Sequence, residues 1–142
     1  RGAERYGGRF NPKGTPALYT SLAIMTALRE AHQAGALQPT TLVAYEADIE
    51  TVFDARDAAA LAREGLDAAG LADPSWRDQM QTAGEAKTQS FARRLIATGY
   101  HGLLAPSFAP GAEPGALNLV LWRWGAAPAR LTLIDDEGRL SQ

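Results

Sequence analysis

Cysteine is absent from this 142-residue sequence, and histidine occurs only twice, as His32 and His101. The absence of cysteine excludes a catalytic thiol, a zinc–thiolate site and a disulfide framework. Two histidines are too few for a histidine-rich metal site, so we predict that the protein binds no metal.

Long apolar runs are also absent. No segment approaches the roughly 20 apolar residues that a membrane-spanning helix needs, and no signal peptide is visible. We therefore expect a cytoplasmic protein that does not associate with membranes. Because the sequence begins at Arg1 rather than Met, we also expect that a natural N-terminal segment is missing.

A strong excess of charge of either sign is lacking as well. The 14 basic and 16 acidic residues leave a net charge of −2, and the two signs are interspersed along the chain. This pattern disfavours direct binding to a nucleic acid, although it allows a small basic pocket for a single nucleotide. The length fits one domain over residues 1–142, and such a chain can bury a core without disulfides or metals.

Apolar periodicity and turn residues predict short helices and strands in mixed order. We predict a loop over 1–16, strands over 17–20, 41–47, 51–53, 102–105, 117–124 and 131–134, and a turn at 135–138. We predict helices from 22 to about 34, from Asp54 or Asp57 to Gly65 or Gly70, and over 85–98, and a short helical turn that starts at 73–76. Because helices and strands do not alternate strictly, this order favours an α+β fold.

Two residues near the start of the chain are candidates for binding a nucleotide. Arg9 follows Gly7-Gly8, and glycines allow a turn on which a guanidinium can bind a phosphate through two hydrogen bonds. Tyr19 ends a predicted strand, where its ring can stack on an aromatic ligand. Taken alone, each has a more ordinary interpretation, as a surface arginine and as a core tyrosine.

Three polar residues further along the chain could complete a site. Glu30 lies on the helix after Tyr19, and its helical neighbours Ala23, Thr26 and Ala27 are small. A carboxylate with such neighbours can stabilise a developing positive charge. Ser107 follows a buried strand, and Asn118 begins the strongest one. Each is by itself more often structural, as a solvated glutamate, a turn serine and an edge amide.

The order of these residues resembles the RES domain, a family named for an arginine, a glutamate and a serine. The run from Gly7 to Tyr19, GGRFNPKGTPALY, is similar to the opening signature of that family, and Arg9, Glu30 and Ser107 match the three name-giving residues. Tyr19 and the Asn118-Leu119-Val120-Leu121 segment match as well. The sequence departs from the family at Phe10, where tryptophan is common, and in the strand that usually precedes the Gly-Gly-Arg turn.

The resemblance implies a fold similar to ADP-ribosyltransferases, in which a split, curved β-sheet core and flanking helices surround an NAD cleft. It implies a bacterial toxin that consumes NAD and is neutralised by an antitoxin with an Xre-like helix-turn-helix domain that covers the active site. Arg9, Tyr19 and Glu30 would be catalytic, and Ser107, Asn118 and Asn11 would bind or orient the substrate. The ADP-ribose would pass to water, to phosphate or to a protein target.

Two other functions remain open on the residues themselves. A catalytically inactive module could use the same cleft to bind a nucleotide or a partner protein. The second possible function is that of an enzyme that acts on another nucleotide. Arg9 would suit any phosphate, and only the family resemblance indicates nicotinamide.

Overall fold

The computed structural model describes residues 2–33 and 43–134, and these residues form six α-helices and seven β-strands. The helices are α1 (Gly2–Tyr6), α2 (Ile24–Gln33), α3 (Ala58–Arg63), α4 (Ala68–Ala72), α5 (Trp76–Ala83) and α6 (Lys87–Thr98). The strands are β1 (Leu18–Ser21), β2 (Ala44–Ile49), β3 (Val52–Asp54), β4 (Gly102–Pro106), β5 (Leu117–Leu121), β6 (Gly125–Ala126) and β7 (Ala129–Ile134).

The strands form two separate sheets. The larger has the order β1-β5-β4-β3, in which β5 pairs antiparallel with both β1 and β4 and only β3 and β4 are parallel. Because parallel neighbours need a crossover connection, the four helices α3 to α6 lie between β3 and β4 in the chain. The smaller sheet, β2-β7-β6, is antiparallel throughout. This division confirms the predicted α+β fold with a split sheet.

The core lies between helix α6 and the middle strands of the larger sheet. Phe91 and Leu95 of α6 are buried together with Leu103 of β4 and Val120 of β5. The ring of Phe53 meets the ring of Phe91 edge to face, with centroids 5.5 Å apart. This packing fixes β5, which carries Asn118, relative to the rest of the domain.

Local polar groups explain where the helices begin and end. The carboxylate of Asp57 accepts hydrogen bonds from the backbone of Ala59 and Ala60 at the start of α3, and Asp67 caps α4 in the same way. The single Ala-rich helix predicted for this region is wrong. Gly65 has a φ of +79° and separates two short helices, each with its own aspartate cap.

Other sequence predictions need correction at the ends of the chain's elements. Residues 2–6 form helix α1 where a loop was predicted. The strong strand predicted over 117–124 ends at Leu121, because the indole of Trp122 turns into the core and donates a hydrogen bond to the carbonyl of Phe10. Residues 41 and 42 of the predicted strand over 41–47, and the turn predicted at 135–138, lie outside the described residues.

Two features are absent from residues 2–33 and 43–134. None of the helices described there is long and apolar enough to cross a membrane. The same residues contain no group of three or more histidine, aspartate or glutamate side chains arranged to hold a metal ion.

We predict that Phe91→Ala lowers the free energy of unfolding by about 3–5 kcal/mol, because it leaves a cavity in the middle of the core. Met25→Ala is the matched control, since Met25 is a helical residue whose side chain is 56% exposed and its loss leaves no cavity. Urea denaturation measures both values. Similar losses for the two variants would show that Phe91 is not central to the core.

Candidate active site

Four of the six predicted site residues line one cleft of about 420 Å³, namely Arg9, Tyr19, Glu30 and Asn118. The other two lie directly behind its wall, where Ser107 bonds to Glu30 and Asn11 bonds to Tyr19. A second pocket of about 430 Å³ is also lined by Trp76 and contains none of the predicted residues. We place the candidate chemistry in the first cleft, since it brings the polar residues together.

The carboxylate of Glu30 is held by two neutral donors from distant parts of the chain. Its Oε2 accepts a hydrogen bond of 2.6 Å from the hydroxyl of Ser107 and another from the amide of Asn118. The amide is itself oriented, because its oxygen accepts a hydrogen bond of 2.7 Å from Ser21. The carboxylate is therefore fixed in direction, and it forms no ion pair in the described part of the chain.

Helix α2 positions Glu30 by turning a polar face inward. Thr26 lies one turn before Glu30 on the same face of the helix and is only 3% exposed. Met25, by contrast, points to solvent. Because the inward face carries small residues, the carboxylate of Glu30 reaches β4 and β5, where Pro106 and Asn118 also line the cleft.

Tyr19 presents its ring to the cleft and its hydroxyl to the protein. The hydroxyl accepts a hydrogen bond of 3.0 Å from the backbone N–H of Phe10 and donates one of 2.6 Å to Asn11. The residue nevertheless stays 42% exposed. Burial of the hydroxyl raises the pKa of Tyr19 above its ordinary value, so it remains protonated. The group that a ligand meets is therefore the aromatic ring.

Arg9 is held by backbone carbonyls and aromatic rings. Its Nη1 donates hydrogen bonds to the carbonyls of Asp73 at 2.8 Å and of Leu71 at 3.4 Å. The centre of its guanidinium lies 4.9 Å from the ring centroid of Phe108 and 5.9 Å from that of Trp76. Burial, and then the nearby charge of Arg77, lower the pKa of Arg9, but an arginine still stays charged.

The turn that carries Arg9 is fixed by two residues whose role the sequence did not predict. Gln89 of α6 is 1% exposed, and its Nε2 donates hydrogen bonds to the carbonyls of Gly8 at 2.8 Å and Asn11 at 3.2 Å. The indole N–H of Trp122 donates to the carbonyl of Phe10 at 2.9 Å. Neither residue belongs to a recognisable motif. The one sequence feature that could have indicated such a role is Gln89, a polar residue among the inward-facing positions of the predicted helix over 85–98.

The cleft therefore combines a fixed carboxylate, a fixed cation and an accessible aromatic ring. Within residues 2–33 and 43–134, neither Arg9 nor Glu30 forms an ion pair. Both charges thus remain available to a bound molecule. This arrangement can bind an anionic group at Arg9, stack on a planar ring at Tyr19, and stabilise a positive charge near Glu30.

Comparisons with known proteins identify the family of this chain. A family model described as the RES domain matches residues 1–141. The chain belongs to the RES domain family. No curated protein matches it.

Among solved structures, this RES domain is similar to a chain of the M. tuberculosis MbcT–MbcA toxin–antitoxin complex. The TM-score is 0.66 at 22% sequence identity, and the match covers 94% of the RES domain described here and 72% of the other chain. At this level of identity, the likeness shows that the two chains share a fold.

We predict that Gly8→Ala destabilises the turn by about 1–3 kcal/mol, as overpacking of a well-packed interior does. A Cβ at Gly8 would lie 2.5 Å from the hydroxyl of Tyr19 and 2.7 Å from the side-chain oxygen of Asn11. Gly125→Ala is the control, because a Cβ there meets no atom within 4 Å. Chemical denaturation measures the free energy of unfolding of each variant.

The same substitution in a Tyr19→Phe background tests the cause of this loss. Removing the hydroxyl removes the closest clash, so Gly8→Ala should cost less there than in the parent protein. An equal cost in both backgrounds would show that the Tyr19 hydroxyl is not what requires glycine at position 8.

Proposed function

We propose that this RES domain cleaves the bond between nicotinamide and ribose in NAD. The observation that carries the proposal is the carboxylate of Glu30, which Ser107 and Asn118 hold at the wall of a cleft that also contains Arg9 and the ring of Tyr19. NAD has an anionic pyrophosphate and a cationic nicotinamide ring. The cleft offers the cation of Arg9 for the pyrophosphate and the carboxylate of Glu30 for the positive charge, and neither group forms an ion pair in the described residues. Membership of the RES family supports the same substrate.

In the proposed reaction, the C1′–N bond of the nicotinamide ribose breaks and its electron pair goes to the nicotinamide nitrogen. Nicotinamide leaves as a neutral molecule, and the sugar acquires oxocarbenium character. The carboxylate of Glu30 stabilises that positive charge, or polarises a ribose hydroxyl, at a position preorganised by Ser107 and Asn118. An acceptor then forms a bond to C1′ and loses a proton. Water, phosphate or a protein side chain would serve as acceptor.

The other residues bind and orient the substrate in this proposal. Arg9 binds the pyrophosphate or the nicotinamide ribose, since the guanidinium has N–H groups beyond the Nη1 bonded to Leu71 and Asp73. The exposed ring of Tyr19 stacks on nicotinamide. Asn11 has no exposed surface, so its part is to hold the hydroxyl of Tyr19.

We further propose that the protein is the toxin of a bacterial toxin–antitoxin pair that acts in the cytoplasm. The shared fold with a chain of the MbcT–MbcA toxin–antitoxin complex supports this role. The partner would be an antitoxin with an Xre-like helix-turn-helix domain that covers the cleft. Loss of NAD, or ADP-ribosylation of a protein target, would then arrest growth when the antitoxin is absent.

The deciding experiment is incubation of the purified protein with NAD, with and without phosphate and a cell lysate, while free nicotinamide and labelled ADP-ribose are followed by mass spectrometry. Nicotinamide release without labelled protein indicates hydrolysis, or phosphorolysis if phosphate is required. Label on a lysate protein indicates ADP-ribosyl transfer. Folded protein that binds NAD but releases no nicotinamide would favour the inactive binding module instead.

We predict that Glu30→Gln lowers the rate of nicotinamide release by about 10²–10³-fold, because it removes one preorganised electrostatic contact to the transition state. The fold should remain intact, since glutamine has the same shape. Glu46→Gln, on the exposed strand β2, is the matched control and should react at the parent rate. A Glu30→Gln variant that reacts as fast as the parent would exclude the assigned role.

We predict that Ser107→Ala lowers the same rate through Glu30. The hydroxyl of Ser107 orients the carboxylate of Glu30. Its loss should therefore lower the rate of nicotinamide release in the parent protein and lower it little further in a Glu30→Gln background. The two substitutions together are compared with each alone in a double-mutant cycle. Independent, multiplying effects would show that Ser107 acts on the substrate directly.

A further inference from the structure

The wall of the cleft carries a second cation that the proposed reaction leaves without a role. Arg77, the second residue of helix α5, lines the same cleft as Arg9 and is exposed. Its guanidinium centre lies 4.4 Å from the ring centroid of Trp76, and that of Arg9 lies 5.9 Å from the same centroid. One buried indole therefore positions both positive charges.

Neither of these two guanidinium groups forms an ion pair in the described residues, and the carboxylates of Glu30 and Asp73 act on Arg9 only at longer range. The three ion pairs found there involve Arg56, Arg93 and Arg94. Arg9 donates to uncharged backbone carbonyls, and the hydrogen bonds of residues 2–33 and 43–134 include none from the side chain of Arg77. Like charges held close together repel each other, and a bound anion would relieve that repulsion.

We infer that Arg77 and Arg9 together bind the pyrophosphate of the dinucleotide substrate, with Trp76 holding the two guanidinium groups in place. A pyrophosphate linkage bears one negative charge on each of two adjacent phosphates, and arginine binds phosphate oxygens through paired hydrogen bonds. This inference rests on the proposed function. It adds the residue that selects a dinucleotide over a nucleoside without phosphates.

Two electrostatic features agree with this assignment. Burial and then the charge of Arg77 lower the pKa of Arg9, while Glu30 and Asp73 act in the opposite direction. The two cations are therefore close enough to act on each other. The carboxylate of Glu30 has its own neutral partners, Ser107 and Asn118. Anion binding and stabilisation of the sugar cation are thus assigned to different groups on the cleft wall.

The test compares the parent protein with Arg77→Gln, Arg77→Lys and the control Arg123→Gln, which removes an exposed arginine that does not line the cleft. Calorimetric titration with inorganic pyrophosphate measures anion binding without any turnover. Arg77→Gln should weaken that binding by about 10- to 100-fold, as expected for the loss of charged hydrogen bonds. Arg77→Lys should recover part of the affinity, and Arg123→Gln should match the parent.

Kinetics with NAD provide the second measurement. Arg77→Gln should raise KM for NAD by a larger factor than it lowers kcat, because the pyrophosphate contact is made in both ground and transition states. Unchanged pyrophosphate affinity and unchanged KM in Arg77→Gln would overturn the inference while leaving NAD cleavage intact. If Arg77→Gln loses pyrophosphate affinity but the parent protein releases no nicotinamide from NAD, the anion site is supported and the proposed reaction is refuted.

Thermal unfolding of each variant separates binding from packing. Arg77→Gln should melt within a few degrees of the parent, since Arg77 is exposed and Trp76 remains buried. If Arg77→Gln and Arg77→Lys lose affinity equally and both melt well below the parent, Arg77 serves only to support Trp76, and the inference is wrong.

Discussion

The side chain of Asn11, which has no exposed surface, makes three hydrogen bonds to three segments of the chain. Its amide donates to the carbonyl of Ala3 at 2.7 Å and of Thr15 at 3.0 Å, and its oxygen accepts from Tyr19 at 2.6 Å. These contacts join helix α1, the loop after the turn, and strand β1. The position of Arg9, two residues before Asn11, depends on this junction.

The junction is stable because every buried polar group that meets there is satisfied. Gln89 supplies the donors for the carbonyls of Gly8 and Asn11, and Trp122 supplies the donor for Phe10. A buried polar group that loses its partner costs about 1–3 kcal/mol. The network therefore holds the turn rigidly, which suits a guanidinium that must meet a ligand in one orientation.

Uncharged partners hold Glu30 and Arg9, two of the charged groups that line the cleft. Glu30 is fixed by a hydroxyl and an amide, and Arg9 by carbonyls and aromatic rings. A direct ion pair between the two would have oriented them as well, but it would have neutralised them. Because neutral partners orient without neutralising, the electrostatic field of each group extends into the cleft.

Much of the candidate site was predicted from the chain itself. The glycines before Arg9, the tyrosine at the end of a short strand, and a glutamate among small helical neighbours are local features, and together with Ser107 and Asn118 they match an ordered family signature. The α+β class also followed from the mixed order of elements. The α+β class is confirmed by the two sheets, and four of the predicted residues line one cleft, whereas the roles of the site residues stay predictions.

Tertiary structure decided what each residue touches. No local pattern shows that Ser107 and Asn118, 77 and 88 positions after Glu30, meet its carboxylate, or that Gln89 supports the turn of Arg9 from another helix. The early end of strand β5 likewise depends on long-range packing, as does the sharing of Trp76 by Arg9 and Arg77. The sequence by itself determined the chemical groups and their order, since these are properties of the chain. Which groups meet depends on how the sheet and α6 pack, because contacts between distant residues exist only in the folded state.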